Sequence, residues 1–364
     1  MLIPAGIVKT PSVGHLFKLW IERYSLDFSS PLFIQDSSVF RELVEASSPK
    51  GRSLTATHLS DDLIQSLCDL AGIETYSYLP RIMTLEEIGR LAQNSFRIYQ
   101  KLVKIYAQHS PTTTSRTTAQ LISRASAVAL GSKRSSLSWW GLPTVVQLYS
   151  ALEPILMEFQ EQQLASRDWR TVGFLTTQLN FSNKLLLKQL SSPEQFLLSP
   201  YFKFIEEQVA IPWLRVCAAA AKHQIGSPVL VLAEKMLLAC EEIAATVYHH
   251  LTQLFPEHRS RRGGLSHSDV AHSVLRDLVM FQVYIWLCVL EERLVPIEQE
   301  LLSLYVMVMT GLEVKWELTQ QGIQLLTDEI LSHLESSQQH LLLPYISGIQ
   351  QAFFNMRSRL GATS

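Results

Sequence analysis

The chain has 364 residues, of which 47 % are apolar and 18 % charged, and its net charge is −2. That length suits one large or two medium domains with a well-formed core. The composition excludes an intrinsically disordered chain, which would be poor in Leu, Ile and aromatics, and the near-neutral balance argues against a dedicated nucleic-acid binder.

Apolar residues recur with a 3.6-residue period along almost the whole chain, and strand-like alternation is absent. The expected fold class is therefore all-α: a multi-helix bundle of long antiparallel helices with a smaller N-terminal helical part. The start, Met1 to Lys9, lacks a basic stretch followed by a long apolar run, so no secretory signal is expected there. Helices are predicted over 12–24 and 36–46. Ser60, Asp61 and Asp62 open a third over 60–71, with Gly72 as its stop. Thr84 and Glu87 have the spacing of a capping box ahead of a helix over 84–108. A further helix is expected over 116–130. Residues 1–130 form the expected N-terminal region. The Ser-rich stretch around Gly131–Gly141 gives a linker at 131–142, and 143–364 forms the C-terminal bundle.

In that bundle, helices are predicted over 143–165, 168–190, 200–223, 228–255, 267–294, 297–320, 323–336 and 341–360. Ser192-Pro193, Ser199-Pro200 and Ser227-Pro228 each read as a cap residue before a first-turn proline. Ser266 with Asp269 marks the start at 267, and Pro212 should split the helix that contains it. Leu278 to Leu290 is apolar except for Gln282 and is fenced by Asp277, Glu291, Glu292 and Arg293. It is shorter than the roughly 20 apolar residues of a membrane span, which makes it a buried central helix. Cys68, Cys217, Cys240 and Cys288 are widely spaced in apolar contexts, as core thiols in a reducing, cytoplasmic setting would be.

Charge is unevenly placed. Residues 81–134 hold nine basic and two acidic side chains. On the helix 84–108, Arg90, Arg97, Lys101 and Lys104 lie within about 40° of one direction, opposite an apolar stripe; Arg116, Arg124, Lys133 and Arg134 follow. Such a face can dock an acidic partner protein, or nucleic acid, or simply face water. Trp139 and Trp140 either anchor a partner or pin the linker to the helical body. Arg259, Arg261 and Arg262, beside Gly263 and Gly264, could hold an anion. His250, His267, Asp269 and His272 could share a metal, but wheel geometry spreads them toward water.

No HExxH, P-loop, GxGxxG or GxSxG motif occurs. The expectation is therefore a non-enzymatic interaction or regulatory protein without cofactor, docking an acidic partner through its basic helix face. The second reading is a small-molecule-binding or catalytic bundle with a pocket among the C-terminal helices. The third is a nucleic-acid-associated regulator.

Overall fold

The computed structural model describes residues 11–28, 37–78, 84–109, 134–166 and 170–361. These residues form an all-α protein with only four strands of two residues each. The first part comprises α1 (Pro11–Glu22), α2 (Ser37–Ser47), α3 (Pro49–His58), α4 (Asp61–Tyr78) and α5 (Leu85–Gln108). Then follow α6 (Val145–Ser166), α7 (Arg170–Leu187), α8 (Ser192–Ala210) and α9 (Trp213–Ala220). The last part holds α10 (Pro228–Leu254), α11 (Ser268–Glu291), α12 (Leu302–Leu312), α13 (Trp316–Ser332) and α14 (Ser336–Gly361). A single π-helical turn, Pro296–Leu301, leads into α12. Strands β1 (Leu26–Asp27) and β2 (Arg134–Ser135) pair antiparallel, as do β3 (Arg259–Ser260) and β4 (Gly263–Gly264). The predicted helix 116–130 lies outside the described residues.

Several boundaries follow the capping chemistry of the sequence. Thr84 and Glu87 form the full capping box of α5, and Ser227 accepts from the Leu230 amide at the start of α10. Pro212 does divide the expected 200–223 helix, into α8 and α9. Other signals were overridden. Ser199-Pro200 is no cap: α8 starts eight residues earlier, with Ser191 as its cap, and passes through Pro200. Gly72 does not stop α4. It is buried where α4 crosses α5, and a Cβ there would press on Ile88 at 3.1 Å. The expected 297–320 helix breaks at Glu313, which takes a left-handed φ of 56°.

The helix α3 was not predicted. Its anchor is Arg52, which is 1 % exposed. The guanidinium donates to the carbonyls of Tyr106, Ser47, His109 and Gly141. It thus satisfies orphan carbonyls at the ends of α2 and α5 and in the turn before α6.

One continuous apolar cluster includes Leu16, Tyr99, Phe202, Trp286 and Ile349. Helix α11 runs through it, packed on α9, α10 and α14. By length and composition α11 alone among the described helices could cross a membrane, but 72 % of its apolar window is buried within the protein. Trp20 of α1 stacks on Trp213 of α9 at 4.2 Å, and the Arg23 guanidinium covers the other side of that stack at 4.1 Å from the Trp20 ring.

Candidate functional site

Helices α10 and α11 form a hairpin, joined by a turn that carries the β3–β4 ribbon. Gly263 takes φ 123° there, a region open to glycine and strained for other residues. Leu251 of α10, the ribbon, one face of α11, and helices α12 and α13 enclose a cleft. Its enclosed volume is about 110 Å³, and about 890 Å³ of atom-free space when the open mouth is included. Val270, Ser273, Val274, Asp277, Leu278 and Phe281 line it from α11 at spacings of three and four, which place them on one helical face. Opposite them stand Tyr305 and Met309 of α12 and Leu318, Ile323 and Leu326 of α13. Gly322 of α13 faces Leu251 so closely that a Cβ would touch its methyl at 3.6 Å.

The polar groups gather on the wall of the cleft nearest α7 and α8. Asp277 Oδ1 accepts from Arg276 Nε at 3.0 Å and Nη2 at 2.6 Å. Arg276 Nη1 donates to Glu206 Oε1 of α8 at 2.7 Å. Asn180 and Asn183 of α7 donate to the same carboxylate at 3.2 and 3.1 Å, and His272 Nε2 lies 3.3 Å from it. Burial by itself would raise the Glu206 carboxyl. The hydrogen bonds and charges of His272 and Arg276 outweigh burial and hold it at about 2. On the far side of this wall is a second cleft of about 830 Å³, lined by Lys184, Glu206, Asp269 and His272 as well as by Leu187, Phe196 and Phe202. Its charges are largely paired within the chain: Lys184 meets Asp269, and Lys203 meets Glu241 at 2.7 Å.

Two groups in the apolar cleft are less well satisfied. Arg262 donates to Ser273 Oγ at 3.1 Å and Asn180 Oδ1 at 3.0 Å, and lies 4.8 Å over the Phe181 ring. Among the described residues no carboxylate approaches it within ion-pair distance. Burial, followed by repulsion from Arg276, lowers its pKa. His258 is 5 % exposed and its Nδ1 has no hydrogen-bond partner. Burial, then the charge of Lys315, lowers its pKa.

The other residues singled out from sequence are dispersed. Arg90 and Lys104 are exposed on α5 and Lys101 is half-buried. Arg97 pairs with Glu158 of α6 at 2.9 Å. Arg134 pairs with Glu241 at 3.0 Å. Arg116, Arg124 and Lys133 lie outside the described residues. Trp140 is 4 % exposed, stacks on Phe28 at 5.6 Å and donates to Ser135 Oγ at 3.2 Å. Trp139 is half-buried beside it, at 5.2 Å between ring centres. Both therefore pin their segment to the core, and Trp140 offers no surface to a partner. Arg261 donates to the carbonyls of Tyr78 and Gly311, which fastens the ribbon to α4 and α12; Arg259 is exposed. His250 and His267 are exposed, and Asp269 and His272 face Lys184 and Glu206 respectively. Among the described residues no three His, Cys, Asp or Glu side chains converge on a metal position.

Residues 218–353 match the family model described as phycobilisome protein. No curated protein matches the chain, and no solved structure does. The matched segment is less than half of the chain, and it contains every residue that lines the apolar cleft. This likeness overturns the expectation of a regulatory protein that docks an acidic partner through the basic face of α5. The charge pattern that suggested docking is met in part within the chain, by Glu158 for Arg97 and by Glu241 for Arg134.

Proposed function

We propose that residues 218–353 form a phycobilisome-type helical unit whose apolar cleft holds a bilin, a linear tetrapyrrole, in the service of light harvesting. One observation carries this reading: the segment resembling phycobilisome proteins coincides with an apolar cleft that presents a few placed polar groups, as small-molecule sites do. A bound bilin would supply visible light absorption through its conjugated system. The residues that would hold it are the carboxylate of Asp277, positioned by Arg276, and the guanidinium of Arg262, with apolar walls from α11, α12 and α13 for the ring edges.

Thioether attachment does not fit. No cysteine lines the cleft, and all four thiols are buried. Burial raises each of them, Cys68 and Cys288 to about 12, so none is a ready nucleophile. The reading is therefore of a ligand held without a covalent bond. The enclosed volume of about 110 Å³ is small beside the roughly 300–1,000 Å³ of drug-sized sites. A tetrapyrrole must thus extend into the mouth or displace the ribbon, and binding should register as a change in stability.

The test is titration of the purified chain with biliverdin, followed by visible absorbance and thermal melting. A saturable, shifted absorption band, a raised melting temperature, and loss of colour on denaturing electrophoresis are expected. Colour that survives denaturation would overturn the non-covalent reading. Absence of any spectral or thermal response would remove the bilin reading altogether.

A further inference from the structure

We propose that the apolar cleft selects ligands bearing a carboxylate on an apolar body, and that Arg262 with His258 receives that carboxylate. The inference rests on the reading of this cleft as a ligand site and goes beyond it, because it assigns the specificity to the β3–β4 ribbon.

The arrangement is asymmetric. The body of the cleft is hydrocarbon: Leu278, Phe281, Met309, Leu318, Ile323 and Leu326. Two cationic or proton-bearing side chains stand at its ribbon end. A guanidinium has five donors, and the hydrogen bonds of Arg262 to Ser273 and Asn180 use only two of its nitrogens, with neutral acceptors. Half-burying this cation is costly, and the carboxylates of Asp269 and Glu206, which lie beyond ion-pair distance, offset that cost only in part. The Arg276 charge nearby adds to that cost. A carboxylate beside Arg262 would relieve it, since charge-assisted pairs to Arg are the strong ones. His258 supplies the second group. It is buried against the same cleft, and its Nδ1 is unpartnered. A neutral imidazole with its proton on Nδ1 donates to a carboxylate oxygen at no charge cost.

The same side chains explain the orientation of the ligand. Asp277 lies one helical turn beyond Ser273, and although Arg276 neutralises much of its charge, it would repel an acid placed there. The acidic head is thus directed to the ribbon and the apolar body toward Phe281 and α13. Asn180 and Phe181, which fix Arg262 from α7, pre-organise the guanidinium; such fixing lowers the entropic cost of binding.

Two sources of this chemistry exist, a bilin propionate and a free fatty acid, and the experiment separates them. Biliverdin, biliverdin dimethyl ester, dodecanoate and methyl dodecanoate are each titrated calorimetrically into the intact wild-type chain and into Arg262→Gln and Arg262→Lys variants. At least one free acid should bind the wild type about tenfold or more tightly than its ester, the scale of one charged hydrogen bond. Arg262→Gln should abolish that preference while its circular-dichroism melt stays cooperative, and Arg262→Lys should keep a reduced preference. Equal binding of each acid and its ester by the wild type would overturn the proposal and leave the bilin reading intact. Preference for dodecanoate with no biliverdin binding would sustain the proposal and remove the bilin reading. Preference retained by Arg262→Gln, or no binding of either acid, would overturn the proposal.

Discussion

Replacing Arg276 by Met tests the wall between the two clefts. The guanidinium holds two carboxylates, Glu206 at 2.7 Å and Asp277 at 2.6 Å. The Glu206 side chain is 3 % exposed, so it cannot recover its lost partner from water. Removing one partner of a buried ion pair costs about 3–5 kcal/mol, because an uncompensated charge is left behind. Two features place the expected cost at the lower end. The Asp277 side chain is 23 % exposed and retains some hydration. His272 remains within hydrogen-bond distance of Glu206, at 3.3 Å. The expected loss is therefore about 3 kcal/mol at neutral pH, read from urea denaturation of wild type and variant. A Glu206→Gln/Arg276→Met double variant removes both charges and keeps an acceptor for Asn180 and Asn183. It should be more stable than Arg276→Met, with a coupling above about 1.5 kcal/mol in the double-mutant cycle. A loss below about 1 kcal/mol for Arg276→Met, or additive single effects, would show that the pair is hydrated and that the wall is not a buried ionic unit.

Acid should weaken the protein through Glu206 and Glu241, both held at about 2 in the folded state against an ordinary 4.5. Depressed carboxyls contribute stability that is complete above the unfolded value and is lost as pH falls from about 4.5 toward 2. Denaturation midpoints should fall through that window for the wild type, and less steeply for Glu206→Gln; parallel slopes would refute the assignment. Arg52→Met strips four carbonyls of their donor in a buried position, so a loss of about 3 kcal/mol is expected in the same denaturation assay. Glu313→Gly relieves a left-handed residue at the end of α12 and should raise stability by about 0.5–1 kcal/mol, a gain that a lowered melting temperature would contradict.

Much of the fold was legible because α-helical periodicity and capping are local. Thr84 with Glu87 and Ser227 before Pro228 marked true starts, and the apolar run Leu278–Leu290 is the buried centre of the protein. Pro200 and Gly72 were the poorer guides. Pro200 sits inside α8, where tertiary packing offsets the lost amide, and Gly72 sits inside α4. Helix α3 was invisible for the opposite reason. Gly51, Ser53, Thr55 and Thr57 are weak helix formers, and what holds the segment is the long-range bonding of Arg52. Within the basic stripe on α5, the pairing of Arg97 could not be read locally because its partner is remote in sequence: Glu158 is 61 residues away.

The cleft was harder to read than the fold, since its lining is drawn from five elements between Leu251 and Leu326. One signal was available: Ser273 and Asp277 interrupt, at i and i+4, the face of α11 that otherwise carries Val270, Val274, Leu278 and Phe281. A polar pair at that register on an apolar face needs either partners or a ligand. Half of the answer lies outside the segment that resembles phycobilisome proteins. Arg276 reaches Glu206 of α8, and Arg262 rests on Asn180 and Phe181 of α7, all N-terminal to residue 218. The family-like segment therefore provides the apolar walls and the polar side chains, while α7 and α8 fix how those side chains are aimed. A likeness confined to 218–353 then covers the walls of the cleft, while the groups that fix Arg262 and Arg276 belong to the part of the chain that the likeness does not reach.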